Sequence, residues 1–230
     1  LRKSLSSEFE RQKEIAVEAQ ELATEKKNEI EAISNQLSKY LSPQLYNPIF
    51  SGEQQVDIAS KRKKLTIFFS DIVGFTSISD SLESEEITAM LNYYLTEMSK
   101  IALEFGGTID KYVGDAIVIF FGDPETSGVK EDARNCVNMA IEMQKKMQEL
   151  ENQWAQNFGL REPLQMRIGI NTGYCTVGNF GSEDRLDYTV IGGQVNLASR
   201  LESITKPGSI LISFDTHSQV SDEIECIEAD

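Results

Sequence analysis

The first 41 residues contain neither glycine nor proline, and that absence narrows the fold more than any other feature. Apolar residues recur there at three- and four-residue steps, at Ile15, Ala19 and Leu22, then at Ile30, Ile33 and Leu37, amid dense Glu and Lys. An α-helix repeats every 3.6 residues, so the apolar positions share one side, and a stripe this narrow is the seam of a coiled coil. From Leu22 to Ile30 the step is one residue longer than a strict heptad, and Lys26 falls on the seam between them. The register shifts there, and a two-stranded coil would locally unwind. An amphipathic helix lying on its own domain is the plain alternative; the charged opposite face favours a parallel two-stranded signalling helix. Pro43 disfavours helical backbone at Ser42, so the helix is expected to stop there. The chain therefore reads as a coiled-coil helix over 1–41, a polar linker over 42–63 and a globular domain over 64–230.

Within the globule, strand and helix signals alternate. Leu65–Phe69 reads as a buried strand, Glu85–Phe105 as a helix closed by Gly106-Gly107, and Ala116–Phe121 as an apolar strand leaving a turn at Gly114. A long polar helix is expected over Lys130–Asn157, then strands at Met166–Ile170, Cys175–Val177 and Tyr188–Ile191, a helix over Val195–Glu202, and strand character at Ser209–Ser213. Two strands meeting at the Gly114 turn favour an α+β sandwich of ferredoxin-like type over a parallel βαβ array. Neither G-x-G-x-x-G nor G-x-x-x-x-G-K-[ST] occurs, which removes the main support for dinucleotide-binding and P-loop folds.

Composition bounds the partners. At 230 residues the chain is long enough for one buried domain with an appendage. A net charge of -15 repels phosphate backbones and anionic membrane surfaces, so nucleic acid is not expected as a partner. An anionic substrate would need metal ions and locally placed cations. Cys136, Cys175 and Cys226 lack CxxC spacing and are odd in number, which points away from disulfides and zinc and toward a reducing, cytoplasmic setting. No apolar run approaches the ~20 residues that cross a bilayer, and no signal peptide is legible, so no membrane contact is expected in this segment. A start at Leu1 and a polar end fit a segment of a longer protein, with an upstream sensor and even a membrane attachment lying elsewhere.

Three stretches carry the chemistry. In FSDIVGFT (69–76), Asp71 ends an apolar strand and Gly74 opens the next turn. In GTIDKYVGDAIVIFFG (107–122), Asp115 follows a turn glycine and leads into another apolar strand. Two carboxylates at neighbouring strand ends, with a backbone carbonyl such as that of Ile72, form an oxygen donor set for paired Mg²⁺ or Mn²⁺. Singly, each residue has an ordinary alternative, Asp71 as a helix cap and Lys111 as a solvated edge charge. The third stretch, LDYTVIGGQVNLASRLE (186–202), spaces Thr189, Asn196 and Arg200 so that the last two stand one helical turn apart on one face.

Together these motifs resemble the catalytic domain of the class III adenylyl and guanylyl cyclases through almost all of residues 64–213. The resemblance implies an adenylate cyclase that turns ATP into 3′,5′-cyclic AMP and pyrophosphate. It places the two metal ions on Asp71, Ile72 and Asp115, the phosphates on Gly74, Phe75 and Thr76, the adenine on Lys111 and Thr189, and the reacting ribose and α-phosphate on Asn196 and Arg200. Adenine offers an acceptor at N1 and a donor at N6, which a lysine and a hydroxyl complement. Guanylyl members resemble Glu and Cys at these two positions, and neither is present. Many adenylyl members carry Asp where Thr189 stands; Thr resembles the bicarbonate-responsive subset, which makes bicarbonate a candidate activator. Because family members set the metal acids of one chain against the base and transition-state residues of another, a homodimer is implied. A triphosphate-binding lysine of the family has no assignable counterpart. The rival readings are a guanylate cyclase and a catalytically silent dimeric signalling module; a diguanylate cyclase would need a GGDEF-like run, which is absent. His217 and Trp154 read as structural.

Overall fold

A computed structural model of the chain describes residues 2–50, 59–182 and 184–229. The chain divides into two compact units, 1–55 and 56–230. In the first, helix α1 (Arg2–Leu37) is followed by a short 3-10 turn at Ser38–Tyr40 and by α2 (Pro43–Phe50). At about 1.5 Å per residue, α1 is on the order of 54 Å long. Helix α1 ends at Leu37, short of the stop expected at Ser42, and the chain is already extended at Leu41; Pro43 instead serves as the first residue of α2, where its missing N–H has no helical partner to lose. The stretch read as a polar linker therefore holds a helix. Leu45 is buried, and the Tyr46 hydroxyl pairs with Ser34 at 2.5 Å. The seam residues Ile15, Leu22, Ile30, Ile33 and Leu37 are between 49% and 65% exposed.

The second unit is a ferredoxin-like α+β sandwich. Its elements run β1 (Ser60–Ile72), α3 (Phe75–Ser79), α4 (Ser84–Glu104), β2 (Thr108–Val113), β3 (Ala116–Phe121), α5 (Val129–Glu149), α6 (Glu151–Phe158), β4 (Met166–Gly181), β5 (Leu186–Ile191), α7 (Gly193–Ile204), β6 (Ile210–Ile212) and α8 (Phe214–Val220). The sheet order is β2-β3-β1-β4-β5, with all of these neighbours antiparallel and β6 parallel to β4. Alternation along the strands sorts side chains onto two faces. Phe68, Ile72, Ile117, Ile119, Ile168 and Ile170 pack with α4 and α5 around the fully buried Trp154. Leu65, Ile67, Phe120, Cys175, Val177 and Val190 line the other face, which Ala198 of α7 covers.

Four details depart from the sequence expectation. β1 starts at Ser60, inside the stretch read as linker. Met166–Gly181 is one continuous strand rather than two, and at Gly173, between the two expected strands, Gln194 packs against bare backbone. The long helix expected over 130–157 is two helices meeting at Leu150. The polar C-terminal stretch contains α8, capped by the Ser213 hydroxyl accepting from the Thr216 N–H; the buried hydroxyls of Thr216, Thr172 and Thr66 form a hydrogen-bonded row. Among the described residues no helix is long and apolar enough to cross a membrane.

Two features position the site. The sheet curls until β5, at one end of the strand order, meets β2 at the other: the Thr189 hydroxyl donates to Asp110 at 3.0 Å, and Tyr188 and Lys63 both reach Asp123. At Gly169 helix α7 comes so close to β4 that a β-carbon there would overlap the backbone of Ala198 and Glu202. Gly169→Ala should therefore cost about 3 kcal/mol through overpacking against rigid backbone. For a domain of this size that is a fall in Tm of roughly 6–12 °C, read by calorimetry; an unchanged melt would show that α7 does not sit against β4 in this way.

Candidate active site

Asp71 lies near the end of β1 and Asp115 in the turn after Gly114, as the sequence placed them. The Ile72 N–H donates to Asp115 Oδ2 at 2.8 Å, so the second acid is bonded to the backbone of the residue that follows the first. Burial lifts the Asp115 carboxyl above the usual carboxylate range; the Ile72 hydrogen bond lowers it, and the negative charge of Asp71 raises it further. Two half-buried acids that repel one another suit a hard cation. Among the described residues no group of three or more His, Cys, Asp and Glu could hold a metal. Any ion here would take its remaining ligands from the Ile72 carbonyl, water or a bound anion.

Three residues that the sequence reading did not single out complete this corner. Arg167, opposite Asp71 in the β1–β4 register, forks onto both carboxylate oxygens at 3.1 and 2.7 Å, and its Nε lies 3.2 Å from Glu202 Oε1. Glu202 points from α7 onto this pair and is buried; burial first, then contact with Asp71, pushes its carboxyl up to about 7. Beneath them Tyr94 is fully buried, its hydroxyl donating to the Met166 sulfur at 3.2 Å, and burial raises its phenol. A charged Arg inside an otherwise apolar strand was the available signal for the first; the other two owe their place to packing.

Gly74 takes a left-handed backbone, φ 69°, and caps α3, whose first residues are Phe75 and Thr76. Its carbonyl accepts from the amides of Ser77 and Ile78, which leaves the amides of Phe75 and Thr76 as the open N–H groups of a helix start. Farther along the sheet, Lys111 and Thr189 both converge on Asp110, Lys111 Nζ at 3.6 Å and the Thr189 hydroxyl at 3.0 Å from the same oxygen. Asn196 and Arg200 are exposed on α7, whereas Ala198 and Glu202, two residues on from each, face the sheet. Residues two apart on a helix are about 200° apart, so the first pair looks away from the domain whose Asp71 the second pair covers. The structure thus brings Asp71 to Asp115 and Lys111 to Thr189, and turns Asn196 and Arg200 outward.

The profile described as the adenylate and guanylate cyclase catalytic domain matches residues 58–229. The chain belongs to that family. The cyclase domain is similar to the adenylyl cyclase CyaB from P. aeruginosa, with 58% identity and a TM-score of 0.71 over 74% of this chain and 86% of that one. It is also similar to the guanylyl cyclase Cya2, at 42% identity and a TM-score of 0.69 over 73% and 83% of the two chains. Among curated relatives, an adenylate cyclase of Anabaena cylindrica is 35% identical over 76% of this chain. The chain spans 32% of that relative's length.

The raised carboxyl of Glu202 sets a sign for stability. Folding binds its proton more tightly, at about 7 against an ordinary value of 4.5, so the folded state holds more proton between those values. Its contribution is present below about pH 4.5 and is lost as pH rises through about 7. In chelator-treated buffer, Glu202→Gln should melt progressively above the parent between pH 5 and pH 8, by on the order of 2 kcal/mol at the upper end, a tenfold change in proton binding being worth about 1.4 kcal/mol. A constant offset across that range would show that Glu202 titrates normally.

Proposed function

We propose that this cyclase domain converts ATP to 3′,5′-cyclic AMP and pyrophosphate, as a dimer of identical chains that builds two sites between them, with Mg²⁺ or Mn²⁺ as cofactor. The observation that carries the reading is the outward aspect of Asn196 and Arg200. One chain presents its acid pair in one direction and these two donors in another, so a second copy brings the halves together. Guanylyl cyclases stand among the similar proteins; Lys111 as donor and Thr189 as a hydroxyl in place of Glu and Cys favour adenine.

In this reading Asp71, Asp115 and the Ile72 carbonyl hold the metal ions of one site, and bound divalent cations would neutralise the triphosphate and acidify the ribose 3′-hydroxyl. Were metal ions to take over the Asp71 carboxylate, Arg167 would remain beside it as a cation available to the phosphates. The open amides at Phe75 and Thr76, behind the turn at Gly74, face the same anion. The 3′-hydroxyl gives its proton to water, its oxygen forms a bond to the α-phosphorus, the bond from that phosphorus to the bridging oxygen breaks, and pyrophosphate leaves with the electron pair. From the partner copy, Asn196 holds the ribose and the Arg200 fork meets the charge that builds on the α-phosphoryl oxygens. Lys111 donates to adenine N1, and Thr189 accepts from the N6 amine.

Asp71→Ala and Arg200→Ala should each lower turnover of ATP by at least about a hundredfold. Refolded together in equal amounts, the two variants should recover about a quarter of parental activity, because half the dimers are mixed and each mixed dimer has one intact site. No recovery in a mixture shown to contain mixed dimers would rule out sites shared between chains. Helix α1 fits the same arrangement: its exposed seam would be covered by α1 of the second copy. Leu22→Glu with Ile33→Glu should shift sedimentation toward monomer and make activity per chain fall on dilution; a dilution-independent rate would leave α1 without that role.

A further inference from the structure

Asp110 is the carboxylate beside the base-facing pair. It sits where β2 shifts register between Ile109 and Lys111, an irregularity that lets neighbouring residues approach the same side of the strand. Its side chain is 3% exposed, against 48% for Lys111. One oxygen takes both the Thr189 hydroxyl, at 3.0 Å, and the Lys111 ammonium, at 3.6 Å. The other is buried and has no hydrogen-bond partner among the described residues. Burying an acid with one oxygen unpaired is costly, so the group is not there to fill space.

A threonine hydroxyl carries one proton and two lone pairs, and it can give or receive. An ionised carboxylate only receives. With Asp110 Oδ2 in front of it, the Thr189 hydroxyl points its proton at the carboxylate, and only lone pairs remain for a ligand. Left alone, the same hydroxyl would turn and donate to a carbonyl oxygen such as guanine O6 as readily as it accepts from an amine. Burial pushes the Asp110 carboxyl above the usual range, the Thr189 hydroxyl and the Lys111 ammonium on the same oxygen draw it back down, and the ammonium is itself held near Thr189.

We infer that Asp110 is a specificity-determining positioning residue, which makes Thr189 an obligate acceptor and so selects a base with an amine at position six. This rests on the reading that Lys111 and Thr189 face the base. Asp110 touches no substrate atom and acts through Thr189.

The test compares ATP with purine riboside 5′-triphosphate, which keeps the N1 acceptor for Lys111 and lacks the six-amine. The ratio of kcat/KM for the two therefore reports the Thr189 contact alone. Asp110→Leu keeps the shape of the side chain and removes the acceptor; its ratio should fall by about tenfold toward unity, with melting temperature and dimer content close to the parent. In a Thr189→Val background, adding Asp110→Leu should change the ratio no further. An unchanged ratio in Asp110→Leu, or an effect that persists without the Thr189 hydroxyl, overturns the inference. Should Asp110→Leu fail to fold, Asp110→Ala enters the same cycle. A parent that turns over ATP with no preference for the six-amine sinks this inference and leaves cyclisation standing. A parent with no turnover of any purine triphosphate sinks the proposed activity, and the equilibrium dissociation constants of the two triphosphates then decide the role of Asp110 by the same ratio.

Discussion

Gly169 lets helix α7 settle on β4 until the helix backbone occupies the volume that a side chain would need. Much of the molecule's functional geometry follows from that closeness. It presses Ala198 and Glu202 onto the sheet, sets Glu202 against Arg167 and Asp71, and by the 3.6-residue repeat commits Asn196 and Arg200 to the far side. A helix packed at an ordinary distance over a larger residue would be free to roll by tens of degrees. Here the roll is fixed by backbone against backbone, which has no rotamers with which to relax.

What was legible in the sequence shares one physical trait, a short-range pattern. The apolar seam of α1, the buried alternation of β1 and β3, and the acids Asp71 and Asp115 at strand ends are all properties of a few consecutive residues. The ferredoxin-like arrangement follows from the order of such segments. The misread parts depend on contacts between segments far apart in the chain. The two short strands expected at 166–170 and 175–177 are one, and the glycine between them, Gly173, lies under Gln194. Helix α8 is polar along most of its length, and it is anchored by Val220 in the core and by a buried row of hydroxyls from Thr66, Thr172 and Thr216. Arg167, Glu202 and Asp110 are unremarkable letters whose partners stand 96, 35 and 79 residues away at Asp71, Arg167 and Thr189. Single-sequence periodicity carries no information about such pairs.

The electrostatics are arranged on two scales. Over the whole chain the charge is -15, which repels an anionic ligand. Locally, several acids are matched to cations or donors: Asp71 to Arg167, Asp123 to Lys63, Asp110 to Lys111 and Thr189. Asp115 and Glu202 differ in that both also face the negative charge of Asp71. The acid pair is therefore the place where added positive charge relieves most strain in the field. Long-range repulsion and short-range attraction together would favour a ligand that arrives with its own cations over one that arrives bare.

The curl that brings β5 round to β2 has a further consequence. Thr189 and Asp110 lie on opposite edges of the sheet, so their hydrogen bond is both a clasp that closes the sheet and the mount for a residue facing the ligand. Loosening the clasp by breathing of either edge strand would blur recognition while the rest of the sheet stays paired. Heat, denaturant and substitutions at the two sheet edges should all then act on discrimination before they act on bulk unfolding, which makes the fidelity of this domain an early gauge of its mechanical soundness.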